Sequence, residues 1–283
     1  MRYYDAHVHL QDPSLAPHGP AVCEHLVRIG LAEAVCNGTS AGDWDVVAAL
    51  ARQHPWIRPA YGLHPWQVGN AVDGWLDQLS ALLQATPAAT IGEIGLDRWI
   101  LDSARSDDPR LTGLARAPLE TQEAALVAQL ELAARLDRVP TLHCLQAWDR
   151  LESILARPIS LPPAGFLLHA FAGPPEKVPS FLGRGAFFSF NGNFLAPRHV
   201  RTRDIFARLL PLDRILVETD APSMPLPESR RKYVLPAPAG GGPAPNHPAN
   251  LEVTYAALAD LRGLSVATLA EAVEGNFHRL FKR

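Results

Sequence analysis

Cysteine is scarce in this chain. Cys23, Cys36 and Cys144 are odd in number and lack paired spacing, which argues against a disulfide framework and for a reducing compartment, the cytoplasm. Long apolar runs are missing too. Stretches such as 165–168 (Gly-Phe-Leu-Leu) and 186–188 (Ala-Phe-Phe) are strand-sized, far short of the roughly 20 residues that cross a bilayer. No membrane association is expected, and no leader peptide, because a chelating pattern begins at Tyr3. Excess charge of one sign is absent as well: 26 Lys and Arg face 29 Asp and Glu, for a net charge of −3. With no global field to draw in a polyanion, nucleic acid would have to be held by local positive groups.

What is present is a chain of 283 residues, 47% hydrophobic and 19% charged, a composition that excludes wholesale disorder. One domain over 1–283 is expected, of the size of an α/β barrel, which typically runs to about 250 residues. Short apolar runs predict eight strands: Tyr3 to His9, Glu33 to Asn37, Arg58 to Leu63, Thr90 to Leu96, Pro140 to Cys144, Phe166 to Phe171, Ala186 to Asn191 and Ile215 to Asp220. Helical patterns lie between and after them: Ala21 to Ile29, Trp44 to Gln53, Val72 to Ala85, Leu119 to Leu136, Ala147 to Ala156, Glu176 to Leu182, Val200 to Leu210, Pro248 to Arg262 and Val266 to Phe281. Strict alternation of buried strands and helices implies parallel pairing, and eight repeats suggest a closed (β/α)8 TIM barrel, with an open doubly wound sheet as the alternative.

Two segments break the rhythm: Arg98 to Pro118 after the fourth strand, and the Pro- and Gly-rich Pro225 to Pro248 after the eighth. Both are expected to overhang one end of the barrel, where long loops serve as lids more often than as linkers.

His7 and His9, one residue apart on the first strand, project from the same face. Two imidazoles held side by side suit a divalent ion. Company comes from the C-terminal ends of other strands: Glu93 on the fourth, His143 on the fifth, His169 on the sixth and Asp220 on the eighth. In a barrel these ends meet in one mouth. Two carboxylates and four imidazoles buried together call for cations. Six ligands exceed one tetrahedral zinc with an open position and suit two divalent ions bridged by a carboxylate and a water-derived oxygen. Imidazole-rich ligation favours Zn, Mn, Co or Ni over Mg. Such a pair would supply a bridging hydroxide at neutral pH. His64, just past the third strand, stands at the same mouth and would contact a phosphate if the substrate carries one.

The stretches Asp5-Ala6-His7-Val8-His9-Leu10, Gly62-Leu63-His64-Pro65, Ile91-Gly92-Glu93-Ile94-Gly95-Leu96-Asp97, Pro140-Thr141-Leu142-His143, His169-Ala170-Phe171-Ala172-Gly173 and Val217-Glu218-Thr219-Asp220-Ala221-Pro222 resemble, in order, the TatD family of metal-dependent hydrolases. Asn246-His247-Pro248-Ala249-Asn250 and Asn276-Phe277-His278-Arg279-Leu280-Phe281 extend the likeness to nearly the whole chain. The resemblance implies a TIM barrel of the amidohydrolase-like superfamily and a deoxyribonuclease activity. It implies one metal on His7, His9, Glu93 and Asp220, a second on Glu93, His143 and His169, and Asp220 as the residue that orients or deprotonates the attacking water. Two departures stand out. Where the family often has a small residue and then Arg after the fifth-strand histidine, this chain has Cys144, Leu145 and Gln146, and His247 stands where Glu is common. Cys144 alternates away from His143 and reads as a wall residue.

The expected activity is therefore phosphodiester hydrolysis by a binuclear centre, as a 3′-5′ exonuclease or related deoxyribonuclease. The alternatives are an esterase, lactonase or amidase acting at carbon, a phosphomonoesterase, or a binding protein on a retained scaffold. Low net charge points to nucleic-acid ends, single strands or small phosphoesters as substrates. Arg198, Arg201 and Arg203 after the seventh strand, and Arg230, Arg231 and Lys232 after the eighth, are candidate phosphate contacts. Trp66, Trp99 and Trp148 are candidate stacking platforms.

Overall fold

A computed structural model describes residues 1–157, 161–238 and 241–281. Its strands are β1 (Tyr3–Val8), β2 (Leu31–Asn37), β3 (Ile57–Tyr61), β4 (Thr90–Asp97), β5 (Pro140–Leu145), β6 (Phe166–Leu168), β7 (Ala186–Asn191) and β8 (Ile215–Glu218). Each pairs in parallel with the next. Just past β8 the ring closes, where the Asp220 N–H donates to the His7 carbonyl at 2.9 Å and the His9 N–H donates to the Ala221 carbonyl at 2.8 Å. This is the (β/α)8 barrel and not the open sheet, which would leave β1 and β8 as edges with unpaired backbone groups.

Around it run α1 (Gly19–Ile29), α2 (Trp44–Gln53), α3 (Trp75–Ala85), α4 (Trp99–Asp102), α5 (Leu119–Leu136), α6 (Trp148–Leu155), α7 (Val178–Leu182), α8 (Val200–Asp204), α9 (Leu251–Arg262) and α10 (Val266–Phe281). None of the described helices is long and apolar enough to cross a membrane. The segment Pro225 to Pro248 and the domain span 1–283 both include residues outside the described ones, namely 239–240 in the first and 158–160, 239–240 and 282–283 in the second.

Several expected boundaries move, each for a local reason. The sixth and eighth strands end early because Ala170 (φ 43°) and Asp220 (φ 51°) adopt the left-handed region, which no ladder continues. The third ends at Tyr61 because the Leu63 backbone is taken by a side chain: Gln129 Oε1 accepts from its N–H at 2.7 Å and Gln129 Nε2 donates to its carbonyl at 3.2 Å. The helix expected from Val72 starts at Trp75, after Gly74 at φ 75°. The one expected over Val200 to Leu210 leaves α geometry after Asp204 and continues as a wider π turn, Ile205–Leu209.

The core is built from strands buried on both faces, β1, β4, β7 and β8 along their whole length, and from helical stripes outside them. All six residues of β7 are buried, and Phe188 meets Phe171 edge-on at 4.9 Å. On α5, Leu126, Leu130 and Ala133 pack on the barrel. Gln122 and Gln129, seven residues apart and so on one helix face, are also fully buried. Gln122 clamps the end of β4 as Gln129 clamps the end of β3, accepting from the Asp97 N–H at 2.8 Å and donating to its carbonyl at 3.1 Å.

Gly95, at φ 154°, lets β4 press against β5: a Cβ there would lie 1.9 Å from the His143 carbonyl oxygen. The Gly95→Ala variant is expected to lose on the order of 3 kcal/mol of stability, since both its φ and its space are incompatible with a side chain. The urea midpoint of the ion-free protein checks this; an unchanged midpoint would mean that the two strands separate without penalty.

Candidate metal centre

Alternation on β4 sends Glu93, Gly95 and Asp97 to one face, and the strand ends of β1, β5, β6 and β8 bring the remaining groups to the same mouth. Glu93 is the hub. Its Oε2 lies 3.3 Å from His7 Nε2 and 3.2 Å from His9 Nε2. Its Oε1 lies 2.8 Å from both His143 Nδ1 and His169 Nε2, and 3.3 Å from His64 Nε2. Asp220 Oδ1 closes the first group at 3.5 Å from His7 Nε2 and 3.4 Å from His9 Nε2. The six residues singled out on strand ends, and His64, are thus brought together. All but the deeply buried His7 line a cavity of about 840 Å³.

The donor set fits cations. His7 Nε2 and His9 Nε2 stand 3.1 Å apart, and His143 Nδ1 and His169 Nε2 stand 3.2 Å apart. Facing ring nitrogens at such distances conflict when both are lone pairs or both carry protons, and a cation shared between them removes the conflict. His9 Nδ1 donates to the Asn37 carbonyl at 2.7 Å, so that once Nε2 gives up its proton its lone pair faces the carboxylates, as in a ligating imidazole. His7, His9 and Asp220 form one group that could hold an ion, His7, Glu93 and His169 a second, and His64, Glu93 and His143 a third, so that Glu93 is common to the last two. His64 differs. Its Nδ1 accepts from the Trp66 N–H at 3.1 Å, so the neutral ring carries its proton on Nε2 and offers a donor to the mouth rather than a lone pair.

The electrostatics follow from burial competing with pairing. Burial and the adjacent His169 hold His7 below its ordinary value. Burial acts the same way on His9, but Asp220 and Glu93 outweigh it and hold the imidazole well above normal. His143 behaves alike, pushed up to about 9 as Asp97 and Glu93 overcome burial. Burial would raise Glu93, yet the surrounding His169, His64 and His7 keep it well below the usual carboxylate range. Asp220 is lowered against burial by His9.

Three buried carboxylates were missed in the sequence reading. Asp97 Oδ2 lies 3.1 Å from His143 Nε2 and accepts from Trp66 Nε1 at 2.6 Å. Glu218 Oε1 lies 3.7 Å from His169 Nδ1 and accepts from Asn191 Nδ2 at 3.3 Å. Asp5, pushed up to about 8 by burial, accepts from Thr219 Oγ1 at 2.6 Å and the His7 N–H at 3.2 Å. The period-two rule could have found all three: Asp5 precedes His7 by two, Asp97 follows Glu93 by four, and Glu218 precedes Asp220 by two.

The candidate phosphate contacts divide. Arg198 lines the mouth. Arg203 does not: its Nη1 donates to the carbonyls of Phe194 and Ala196 at 2.6 and 2.8 Å, bracing the loop after β7. Arg231 donates to the Leu226 carbonyl at 2.8 Å and Lys232 pairs with Glu252 at 2.5 Å. Among the described residues, Arg201, Arg230, Arg231 and Lys232 lie outside the cavity lining. Trp66 and Trp148 are in it, with Trp148 also packed edge-on against Phe171 at 5.0 Å. Cys144 is a buried wall residue whose thiol is pushed up by burial. His247 Nε2 meets His25 Nδ1 at 2.9 Å, away from the centre. Asn246 donates to the Thr219 carbonyl at 3.0 Å, supporting the loop that carries Asp220.

The TatD related DNase family model matches residues 4–282. The chain is 32% identical over 282 residues to the metal-dependent hydrolase YjjV of Escherichia coli, covering 99% of this chain and 98% of that protein. It is 30% identical over 285 residues to the 3′-5′ ssDNA/RNA exonuclease TatD of Enterobacter lignolyticus, covering 98% of each. The crystal structure of the Escherichia coli YjjV protein superposes with a TM-score of 0.82 at 31% identity, over 99% of this chain and 98% of that one.

Proposed function

The chain belongs to the TatD related DNase family, and on that premise we propose that it is a phosphodiesterase with a two-ion centre that shortens single-stranded nucleic acid from an end. The observation that carries this reading is the division of the Glu93 carboxylate, one oxygen toward His7 and His9 and the other toward His143 and His169. That division supports a bridging role. The relatives named exonucleases support the substrate class. We further assign the activity to one domain spanning 1–283 and, on the three unbridged cysteines, to the reducing cytoplasm.

When bound, divalent ions supply Lewis acidity: they acidify water toward neutral pH and offset negative charge on a phosphate. The residues do the rest. Glu93, His7, His9, His143, His169 and Asp220 fix the positions of charge. Asp220, held ionised, orients the attacking water and accepts its proton. His64 donates Nε2–H to a phosphate oxygen, and Arg198 offers a positive rim. Asp97 and Glu218 hold the His143 and His169 rings in register.

The test presents the metal-loaded protein with a single-stranded oligonucleotide, an aryl phosphodiester and an aryl acetate. Stepwise shortening from the 3′ end together with turnover of the aryl phosphodiester is expected. Turnover of the acetate alone would replace this reading with chemistry at carbon.

Loading the centre is also expected to release protons. His9 and His143 are held protonated near neutral pH in the ion-free site, whereas a ligating imidazole must be deprotonated. Affinity should therefore rise with pH through and beyond the neutral range, since His143 is pushed up to about 9 and His9 and His169 are held well above their ordinary value. Calorimetric titration with Mn or Zn in buffers of different ionisation enthalpy measures the protons released. Zero release at pH 7 would contradict the pairing described.

A further inference from the structure

Arg110, in the segment between β4 and α5, reaches one side of the mouth. Trp99 of α4 stacks on Trp66, with ring centroids 5.9 Å apart and 25° between planes. Arg110 lays its guanidinium over both, its central carbon 4.8 Å from the Trp99 centroid and 5.9 Å from that of Trp66. Arg110 lines the same cavity as His64, Glu93 and His143. Among the described lining residues, the arginine and lysine side chains are Arg110 and Arg198. The end of β5 carries Cys144 and Leu145, followed by Gln146, none of them cationic.

We propose that Arg110, seated on Trp99 and Trp66, clamps a phosphate of the substrate strand outside the one being cleaved. The proposal rests on the phosphodiesterase reading and adds to it a second anion subsite. A guanidinium fork matches phosphate geometry, and stacking on indole holds it ready with little rotamer freedom left to lose on binding. Asp108 takes Nε at 2.9 Å and Nη2 at 2.6 Å, leaving Nη1 without an acceptor among the described residues. The Arg110 side chain is 59% exposed against 13% for Asp108, so a phosphate reaches the guanidinium from water and adds to it without first breaking the bidentate Asp108 pair. The seat is also tied to the centre. Trp66 Nε1 donates to Asp97 Oδ2 at 2.6 Å, and the same oxygen lies 3.1 Å from His143 Nε2. Strand phosphate and reacting phosphate are thereby held in a fixed relation through Trp66, Asp97 and His143.

The experiment measures binding of a labelled oligothymidylate to chelator-treated protein by fluorescence anisotropy, and turnover of oligothymidylate and bis(p-nitrophenyl) phosphate by the Mn-loaded protein. For Arg110→Ala, Kd and KM for the oligonucleotide are expected to rise about tenfold, and the slope of log Kd against log salt to fall by about 0.7, one phosphate contact on a single strand. Turnover of bis(p-nitrophenyl) phosphate, which has no strand phosphate, should stay within about twofold, because the clamp positions rather than specifies or reacts. Arg110→Lys should restore the salt slope and only part of the affinity, since a point charge replaces the fork. Trp99→Ala, which removes the seat and keeps the charge, should weaken oligonucleotide binding in the same direction. An Arg110→Ala protein that binds oligothymidylate as the parent does, or that loses both substrates to the same extent, overturns the clamp. If the parent itself neither binds nor shortens oligothymidylate, the strand-cleaving reading fails and takes the clamp with it. If the parent does both and Arg110→Ala matches it, only the clamp falls.

Discussion

Glu93→Gln is expected to lower kcat/KM on an oligonucleotide by about 10⁴-fold or more, because it removes a group on which the whole constellation acts as a unit. Glu93 divides its carboxylate between the two halves of the site, with Oε2 toward His7 and His9 and Oε1 toward His143 and His169. Glutamine keeps the volume and one acceptor but removes the charge, and it turns an amide donor toward imidazole nitrogens that already stand close. The barrel should survive. In the ion-free variant His9, His143 and His169 lose Glu93 but keep Asp220, Asp97 and Glu218 as partners, and giving up a proton relieves whatever positive charge is left in excess. Melting temperature with chelator should therefore change little. The increment on adding Mn or Zn, which reflects RT ln(1 + [L]/Kd), should largely vanish. Circular dichroism melts with and without ion, run beside initial rates, separate the two effects. A folded variant keeping a tenth of the parent activity would end the bridging role.

The barrel could be read in the sequence because alternation of short apolar runs with helical stripes constrains topology strongly: parallel order follows from it, and eight such units favour closure over the open sheet. Strand ends could not be read, since they depend on backbone states and on side chains far away in the chain. Asp220 and Ala170 leave the ladder through positive φ, and Leu63 leaves it because Gln129, on α5, takes its amide and carbonyl. Nothing local to residue 63 carries that information.

The centre shows the same division. His7, His9, Glu93, His143, His169 and Asp220 could be collected because ligands need particular residue types at strand ends, and residue type is visible. Their supports were harder, as Asp97, Glu218 and Asp5 look like ordinary acids until alternation puts them on the ligand face. Arginine was the least legible. Arg203 sits near the mouth in sequence yet serves loop carbonyls, whereas Arg110 lies in the segment after β4 and reaches the mouth through a turn that only the folded chain reveals. Loop reach, unlike strand register, has no period from which to infer it.

Asp220→Asn should separate proton acceptance from ion holding. Asp220 follows β8 at φ 51°, a region that Asn tolerates nearly as well as Asp and that penalises most other side chains. Asparagine therefore preserves the backbone, including the Asp220 N–H to His7 carbonyl bond that closes the barrel, while alanine would add strain and confuse the result. The amide keeps an oxygen near His7 and His9 but cannot take a proton at neutral pH. We expect kcat to fall about 10³-fold, within the range for losing a general base, with KM changed less than about threefold because uniform substrate binding is untouched. Ion-induced stabilisation should fall only partly, since His7, His9 and Glu93 remain. This is the contrast with Glu93→Gln, where rate and ion-induced stabilisation are lost together. Equal loss of both in Asp220→Asn would make Asp220 purely a ligand, and retention of parent kcat would assign proton acceptance to another group in the mouth.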